Sequence, residues 1–243
     1  MKIHRFLITD DLSPQSDLIL RNAGMIRQIK TVLRLREGGV IALFNDRGQE
    51  AHARIVRLSG DQVMCRVDEV SRRSADAPIA VTVYCAILKR ENFEWVAQKI
   101  TEIGAHALVP CVTERTIKKN IIPARVATIM REAAEQSGRV TMPLLLETMR
   151  FVDAFDGAMT AHEPCVLFDP RGLTLDNSPC LAASHRAVNI FIGPEGGWSD
   201  EEYEYARARG ACIISLGGTV LRAETAAVVG TYAIVWRARE QNA

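Results

Sequence analysis

The spacing of hydrophobic and polar residues changes along the chain at about residue 78. Ahead of that point, short runs of alternating apolar and polar residues are separated by turn-forming residues, which is typical of β-strands. The runs predict strands at residues 4–8, 40–44, 52–58 and 62–67, and helical spacing predicts one helix over residues 24–34. Many short strands at this density favour a small β-barrel. We therefore predict a barrel domain over residues 1–72 and a polar linker at residues 73–78.

Residues 79–243 show a different pattern, in which apolar runs alternate with segments of helical spacing. Strands are predicted at 79–88, 107–112, 144–147, 165–168, 190–192 and 212–216, and helices over 92–103, 123–137, 151–158 and 224–240. A further short helix between the last two strands is expected to begin at Ser199, which forms a capping box with Glu202. Strands that alternate with helices form a parallel sheet covered on both faces, so this part is predicted to be an α/β domain.

The last predicted helix, residues 224–240, is apolar on nearly every side. A surface helix normally has a single apolar stripe, so this helix needs cover on more than one side. The cover comes either from its own sheet or from a second subunit, and we favour the second subunit.

Two glycine-rich loops each follow an apolar run near the end of the chain. Residues 190–192 lead into Gly193-Pro194-Glu195-Gly196-Gly197, and residues 212–216 lead into Gly217-Gly218. Ligands of α/β proteins bind at the carboxyl ends of strands, and glycines let a ligand approach the backbone closely. Neither loop has the spacing of a Walker loop or of a dinucleotide fingerprint, so phosphate is not the expected ligand.

The side chains around the two loops indicate what they bind. Ile192, Leu216 and Leu221 provide an apolar floor, and Glu195 and Glu224 favour a positively charged ligand. An adenosine that carries a sulfonium group meets these conditions, since backbone groups suit the edge of a purine. The alternative is that the two loops are tight turns without a ligand.

The distribution of charge along the chain suggests a second binding partner besides the ligand of the two loops. The net charge of +1 conceals 22 Lys/Arg against 16 Asp/Glu in residues 1–139 and 8 against 13 in residues 140–243. A basic front half suggests a polyanion partner, although two halves of a chain also differ by chance. Four basic residues fall on or beside the first predicted helix, where they form either a solvated face or a face that contacts phosphates: Arg27, Lys30, Arg34 and Arg36.

The compartment is predicted from what the sequence lacks. The first residues have no apolar core or cleavage site typical of a signal peptide, and no apolar stretch is long enough to span a membrane. The six cysteines are scattered without a paired motif or a neighbouring histidine. We therefore expect a reducing cytoplasm, no disulfide framework and no metal site.

Five motifs in order resemble one family. The segments IGPEGGWSDEE (residues 192–202) and LGGTVLRAETA (216–226) look like the signature of the SPOUT methyltransferases, and within them of the small-subunit ribosomal RNA uridine-N3 methyltransferases. The segments KITEIG (99–104), AAEQSGR (133–139) and TVLR (31–34) match further motifs of that family. Gln28 stands where the family often has a histidine, Trp198 is the residue after the glycine pair, and Gly38-Gly39 replaces a usual Gly-Asp.

The resemblance implies a fold and a reaction. It implies a small PUA-like β-barrel domain that binds RNA, followed by an α/β methyltransferase domain whose C-terminal segment is threaded into a trefoil knot. The implied cofactor is S-adenosylmethionine, and the implied substrate is N3 of uridine 1498 in 16S rRNA, in the decoding region of the small ribosomal subunit. The family works as a homodimer with its active sites at the interface. Ribose 2′-O-methylation and a non-catalytic role in ribosome assembly are the alternatives.

Three sets of site residues are predicted. For catalysis, Arg222 is the first candidate to stabilise the uridine anion or hold the adjacent phosphate, and Glu195 is a candidate base. The alternative for Arg222 is a structural ion pair with Glu195 or Glu224. The predicted cofactor-binding residues are Ile192, Gly193, Pro194, Glu195, Gly196, Gly197, Leu216, Gly217, Val220, Leu221, Glu224, Thr225 and Ala226. The predicted RNA contacts are Arg5, Arg27, Lys30, Arg34, Lys99, Arg115, Lys118, Lys119, Gln136 and Arg139, the last of them across the dimer.

Overall fold

The computed structural model describes residues 3–45, 47–72, 77–139, 141–160, 162–175 and 185–241. The chain divides into two compact units, one formed by Met1–Asp76 with Ala134–Thr141 and the other by Ala77–Ala133 with Met142–Ala243. Residues 73–76 of the predicted linker lie outside the described residues. The assignment of residues 134–141 to the first unit was not predicted, because residues 134–137 continue the helical pattern that begins at residue 123.

The first unit is built on a five-stranded sheet. Its strand order is β1-β3-β4-β5-β2, with β1 parallel to β3 and the other pairs antiparallel. The strands are β1 (His4–Leu7), β2 (Asp17–Leu20), β3 (Val40–Phe44), β4 (Gln49–Leu58) and β5 (Val63–Arg72). Alternate residues such as Ile41, Leu43, Ala53 and Ile55 form its core. Strand β2 was missed in the sequence, because its three consecutive apolar residues, 18–20, show no alternation.

The helix of the first unit is shorter than predicted. Helix α1 (Ala23–Arg27) begins at Asn22, whose Oδ1 accepts a hydrogen bond from the Met25 N–H at 3.0 Å. It continues into a π-helical turn at Gln28–Val32. The helix cannot extend to residue 34, because Arg34 has a left-handed backbone with φ 52°.

The second unit contains a parallel sheet, which confirms the predicted α/β architecture. The strand order is β12-β10-β11-β6-β7-β8, and β9 also pairs with β7, all in parallel. The strands are β6 (Ala80–Ala86), β7 (Ala107–Val112), β8 (Leu144–Leu145), β9 (Met149–Arg150), β10 (Cys165–Thr174), β11 (Ala187–Ile192) and β12 (Cys212–Ser215). Successive residues of β6 and β11 face two different apolar clusters, so both faces of the sheet are covered. The trefoil knot stays a prediction.

Helices connect these strands close to the predicted positions. They are α2 (Arg90–Ile103), α3 (Pro123–Ser137), α4 (Phe151–Thr160), α5 (Asp200–Ala208) and α6 (Ala223–Gln241). Helix α2 buries Phe93, Val96 and Ile100 on one face, as their spacing predicts. It ends at Gly104, whose φ of 114° suits glycine and whose N–H donates to the last carbonyls of the helix.

The described residues cover helix α6 on one side only. Its buried face, which includes Ala227, Ile234 and Val235, lies against α2 and strands β6 and β11. On the other side Tyr232 and Trp236 are 51% and 47% exposed, and their rings stack with centroids 5.9 Å apart. The sheet of the second unit therefore accounts for only part of the apolar surface that the sequence shows.

The prediction of no disulfide framework did not foresee one disulfide bond. Cys65, Cys85, Cys111 and Cys165 are buried free thiols, but Cys212 is disulfide-bonded. Cys180 lies outside the described residues. Spacing along a sequence does not show which thiols a fold brings together, so the bond could not be foreseen. Among the described residues, no helix has the length and apolar content needed to cross a bilayer.

Candidate active site

A cavity of about 610 Å³ opens at the carboxyl ends of β10, β11 and β12, within the second unit. The volume lies in the range of about 300–1,000 Å³ that is usual for small-molecule sites. The buried residues Phe168, Ile192 and Ile214 line the cavity, and Phe168 and Ile192 form the last residue pair between β10 and β11. Both glycine loops contribute to its wall, so the ends of adjacent parallel strands converge on one site, as predicted.

The first glycine loop, residues 193–197, is shaped by a buried tryptophan. The indole Nε1–H of Trp198 donates to the Phe168 carbonyl at 3.1 Å, and the side chain is only 4% exposed. A Cβ at Gly193 would lie 3.1 Å from the indole ring, so the loop crosses this ring closely only because residue 193 is glycine. Gly197 has φ 69° and closes a turn on the Pro194 carbonyl at 2.9 Å.

A buried carboxylate holds this loop to its neighbour. Glu202 forms the predicted capping box with Ser199: its Oε2 accepts from the Ser199 N–H at 3.1 Å, and the Ser199 Oγ accepts from the Glu202 N–H at 3.2 Å. The other oxygen, Oε1, accepts from the Glu114 N–H at 2.9 Å. Glu202 therefore satisfies backbone donors of two separate segments.

Replacing Glu202 by alanine is expected to lower the free energy of unfolding by about 1–3 kcal/mol, because two backbone donors lose their acceptor. Urea unfolding of the variant measures the change. Glu201→Ala is the matched control, since Glu201 is the exposed neighbour in the same first turn of α5. Equal losses in the two variants would mean that only the charge near the helix N-terminus matters.

The second glycine loop, residues 216–222, leaves the carboxyl end of β12. The Ser215 Oγ donates to the Gly217 carbonyl at 3.0 Å, and Gly217 has φ 140°. No atom lies within 4 Å of a Cβ built at Gly217 or Gly218, so the space beside this loop is open. Thr219, Val220 and Leu221 of the loop line the cavity.

Charged groups of both signs line the cavity. The Glu195 Oε1 accepts a hydrogen bond from the Lys89 backbone N–H at 3.2 Å, ahead of the first turn of α2. Glu224 lies in the first turn of α6. Among the described residues, the exposed Arg222 guanidinium makes no ion pair with Glu195 or Glu224, so the alternative of a structural pair finds no support in this fold. Arg222 is thus a cation available to a ligand.

Asp169 also lines the cavity, and its carboxylate is ion-paired with Arg171. It is 8% exposed, and its oxygens accept three hydrogen bonds from Arg171 at 2.8–2.9 Å, one from the backbone N–H and two from the guanidinium. Burial raises the pKa of the Asp169 carboxyl, but the hydrogen bonds and charge of Arg171 outweigh burial and leave the pKa below its usual value. Arg171 in turn pairs with Asp200 at 3.0 Å and lies 3.7 Å from the Tyr203 ring centroid.

The stabilising effect of Asp169 is expected to depend on pH. Because its pKa is lower in the folded than in the unfolded protein, ionised Asp169 stabilises the fold above the unfolded pKa, about 3.9. The stabilisation is lost as pH falls through the folded pKa. Urea unfolding of wild type and Asp169→Asn should therefore differ at pH 7 and converge in acid below pH 4. A difference that stays constant with pH would contradict this prediction.

Comparison with known proteins gives the family. Residues 75–235 match the family model described as an RNA methyltransferase domain, and residues 29–68 match that of an RNA methyltransferase PUA domain. The chain is 32% identical over 238 residues to the ribosomal RNA small subunit methyltransferase E of a Synechocystis species, which covers 93% of this chain and 75% of that protein. The Bacillus subtilis protein of the same name is 29% identical over 226 residues, 87% of each chain.

A solved structure agrees with these relatives. The ribosomal RNA small subunit methyltransferase E of Neisseria gonorrhoeae, bound to S-adenosyl methionine, aligns with a TM-score of 0.87 and 27% identity over 96% of this chain and 97% of that one. This chain belongs to the ribosomal RNA small subunit methyltransferase E family. The predicted resemblance and the fold class, a PUA-like domain followed by a SPOUT-type α/β domain, are thereby confirmed.

Most residues predicted from the family's cofactor motifs line the cavity. Of the predicted cofactor-binding residues, Gly217 and Thr225 are the two that do not, and both candidate catalytic residues, Arg222 and Glu195, do. The sequence prediction missed other lining residues: Lys89, Asn92, Phe168, Asp169, Pro170, Trp198, Ile214, Ser215, Thr219 and Ala223. Lys89 and Asp169 directly follow strands that were predicted, so the rule that ligands bind at carboxyl ends would have identified them.

In the first unit, the residues predicted to contact RNA differ in their exposure and in their hydrogen bonds. Arg27 and Arg34 are exposed, as is Gln136 at the end of α3. The Lys30 ammonium donates to the carbonyls of Ser59 and Gly60, which ties its helical turn to the β4–β5 hairpin.

Arg5 and Arg139 depart from the predicted role of meeting RNA. Arg5 pairs with Glu50 at 3.2 Å and lies 4.6 Å from the Phe44 ring centroid. Its guanidinium also donates to the Arg139 carbonyl at 3.2 Å, and the Arg139 side chain, in a residue only 5% exposed, donates to the Thr141 hydroxyl at 3.2 Å. Both arginines therefore stabilise the first unit from within.

In the second unit the predicted RNA contacts also separate into two groups. Lys99 is paired with Glu102 at 2.8 Å, and the Arg115 guanidinium donates to the Gly196 carbonyl at 3.0 Å. Lys118 and Lys119 are exposed and form no ion pair with any residue that the structure describes. Among the described residues, no group of three or more His, Cys, Asp or Glu side chains is arranged to hold a metal ion.

Proposed function

We propose that this chain is an S-adenosylmethionine-dependent methyltransferase that modifies N3 of uridine 1498 in 16S rRNA. The observation that carries the proposal is the cavity at the strand ends, which both glycine loops line together with Arg222, a residue without an ion pair to any described residue. Membership of the ribosomal RNA small subunit methyltransferase E family supports the same reaction.

The residues that line the cavity fit the proposed cofactor. S-adenosylmethionine supplies an electrophilic methyl group on a positively charged sulfur. Ile192, Ile214 and Leu216 offer apolar contact to an adenine ring, and the open backbone of the second glycine loop offers hydrogen bonds to its edge. Glu195 and Glu224 provide negative charge for the sulfonium.

The residues around the cavity also fit the needs of uridine N3. Methylation there forms one N–C bond, breaks one S–C bond and releases the N3 proton, leaving S-adenosylhomocysteine. The neutral imide is a poor nucleophile, so a base must take the proton and a cation must stabilise charge that develops on O2 and O4. Glu195 is the candidate base, and Arg222 is the candidate stabiliser.

The exposed side of α6 supports a homodimer. Val229, Tyr232 and Trp236 form an apolar surface that the second unit leaves uncovered, and such surfaces mark interaction sites. We expect Trp236→Glu to produce monomers in sedimentation velocity, because the charge cannot be buried without a partner. A dimer of unchanged affinity would contradict this placement of the interface. We also propose that the protein works in the cytoplasm, since the proposed substrate is 16S rRNA of the small subunit.

Two measurements test the proposed function. Isothermal titration calorimetry of the intact protein with S-adenosylmethionine is expected to show binding, and the absence of binding would favour a non-catalytic role in ribosome assembly. Mass spectrometry of nucleosides from small subunits treated with the enzyme is expected to show 3-methyluridine. A 2′-O-methylated nucleoside instead would overturn the assignment of the base as the target.

A further inference from the structure

The loop at residues 113–120, which follows β7, has a rigid base. Thr113 and Thr116 are each 4% exposed and form a turn in which the Thr116 N–H donates to the Thr113 carbonyl at 3.2 Å. The Thr116 hydroxyl accepts from the Thr113 N–H at 3.0 Å, and the two hydroxyls lie 2.7 Å apart. The two buried threonines are thereby hydrogen-bonded to each other through backbone and side chain, which fixes the shape of the turn.

The same loop is tied to the wall of the cavity. The Glu114 N–H donates to the buried Glu202 carboxylate, and the Arg115 guanidinium donates to the Gly196 carbonyl of the first glycine loop. Because Gly196 lines the cavity, these consecutive residues hold the loop beside the site. The residues that follow therefore start from a defined position near the reacting base.

Those following residues are exposed, and the first of them is apolar. Ile117 is 87% exposed, the largest exposed fraction among the large apolar side chains of the described residues. Lys118 and Lys119 come next, both exposed and without an ion pair to a described residue. A loop with a hydrogen-bonded base thus presents a highly exposed isoleucine, followed by two lysines that form no ion pair with a described residue.

The proposed reaction creates a need for such a side chain. N3 lies on the Watson–Crick edge, so the target uridine must leave its stack before N3 can enter the cavity. Proteins that unstack bases insert apolar side chains between base steps to fill the gap. We propose that Ile117 is a wedge that occupies the stacking position vacated by the target uridine, while Lys118 and Lys119 contact the flanking phosphates. This inference rests on the proposed function and adds the residues that open the RNA.

Charge argues for RNA as the occupant of this surface. Two exposed lysines beside Ile117, without an ion pair in the part of the chain that the structure describes, attract a polyanion. The same lysines would be placed close together or desolvated if the tip were covered by a second copy of this chain, which costs free energy. A subunit contact is therefore the competing outcome that the experiment must distinguish.

The test uses a decoding-region RNA with 2-aminopurine next to the target uridine, together with small subunits that lack the methyl group. The fluorescence of 2-aminopurine rises when its neighbour leaves the stack. We expect the wild-type enzyme to raise the fluorescence, and Ile117→Ala to abolish the rise while RNA affinity and its salt dependence stay similar. Turnover on small subunits should fall roughly tenfold, the effect of one lost base contact, and Ile117→Leu should restore both signals.

Matched variants separate the wedge from the phosphate contacts. Ile122→Ala removes the same atoms from another exposed isoleucine five residues further on, and it should behave like wild type. Lys118→Ala with Lys119→Ala should weaken RNA binding and flatten the plot of log affinity against log salt by about one unit per contact. An unchanged salt slope would remove the two lysines from the RNA surface.

The outcomes that overturn the inference differ from those that overturn the proposed function. Wild-type fluorescence and turnover in Ile117→Ala would show that Ile117 is not a wedge, and so would a loss of dimer in sedimentation velocity, which would make it a subunit contact. A wild-type enzyme that methylates the uridine without any rise in fluorescence would refute the wedge and leave the function intact. An Ile117-dependent rise without 3-methyluridine would support the wedge and refute the proposed reaction.

Discussion

Arg222→Ala is expected to lower the turnover number by roughly 10²–10³-fold, the usual effect of removing one group that stabilises charge in a transition state. The affinity for S-adenosylmethionine, measured by calorimetry, should change little. Arg222 lines the cavity, is exposed and pairs with neither Glu195 nor Glu224 in the described structure, so its charge is free to act on substrate. Equal losses of turnover and of cofactor affinity would instead indicate that Arg222 shapes the pocket.

The pH dependence of this variant tests the chemical role more directly. If Arg222 stabilises the uridine anion, the deficit of Arg222→Ala should shrink at higher pH, where N3 loses its proton without help. A structural role would leave the ratio of the two rates constant with pH. Arg222→Lys should recover part of the activity, because it keeps the charge but not the planar donors. Arg207→Ala, which removes an exposed arginine paired with Glu204 on α5, is the control.

Gly172→Ala is expected to lower the free energy of unfolding by about 3 kcal/mol, at the upper end of the usual cost of overpacking. A Cβ at this position would lie 2.6 Å from the backbone carbon and oxygen of Ile213 and from the nitrogen of Ile214. Backbone atoms of a paired strand cannot move aside as a flexible side chain can. The substitution must therefore separate β10 from β12, the strand that carries the second glycine loop.

The same change should also weaken cofactor binding, since residues of both β10 and β12 line the cavity. Urea unfolding and calorimetry with S-adenosylmethionine measure the two effects. Gly157→Ala is the matched control: no atom lies within 4 Å of a Cβ there, and the residue is in helix α4. That variant should be more stable than wild type by up to about 1 kcal/mol. A similar response at both glycines would show that close strand approach is not what requires Gly172.

The pocket was predictable because its elements are local. Each glycine loop follows an apolar run directly, and the parallel α/β pattern brings the ends of such runs to one edge of the sheet. The carboxylates and Arg222 lie within these loops or one turn beyond them. The capping box at Ser199 and the glycine that ends α2 are likewise encoded within a few residues.

The uses of long side chains were not predictable in this way. Arg5 and Arg115 both belong to basic segments, yet Arg5 pairs with Glu50 inside the first unit and Arg115 supports the first glycine loop. Their partners are separated from them by 45 or more residues in sequence. The sequence shows that an arginine can donate hydrogen bonds and form ion pairs, but only the fold shows which acceptors lie within its reach.

The sequence by itself determined the two-part organisation, the α/β class and the position of the ligand site, because strand and helix periods and glycine turns are local properties. Only the tertiary structure decided that Cys212 is disulfide-bonded, that Arg115 supports the first glycine loop, and that Ile117 extends from a loop tied to the cavity wall. These outcomes depend on contacts between segments distant along the chain, and such contacts follow from packing of the whole unit rather than from any local pattern.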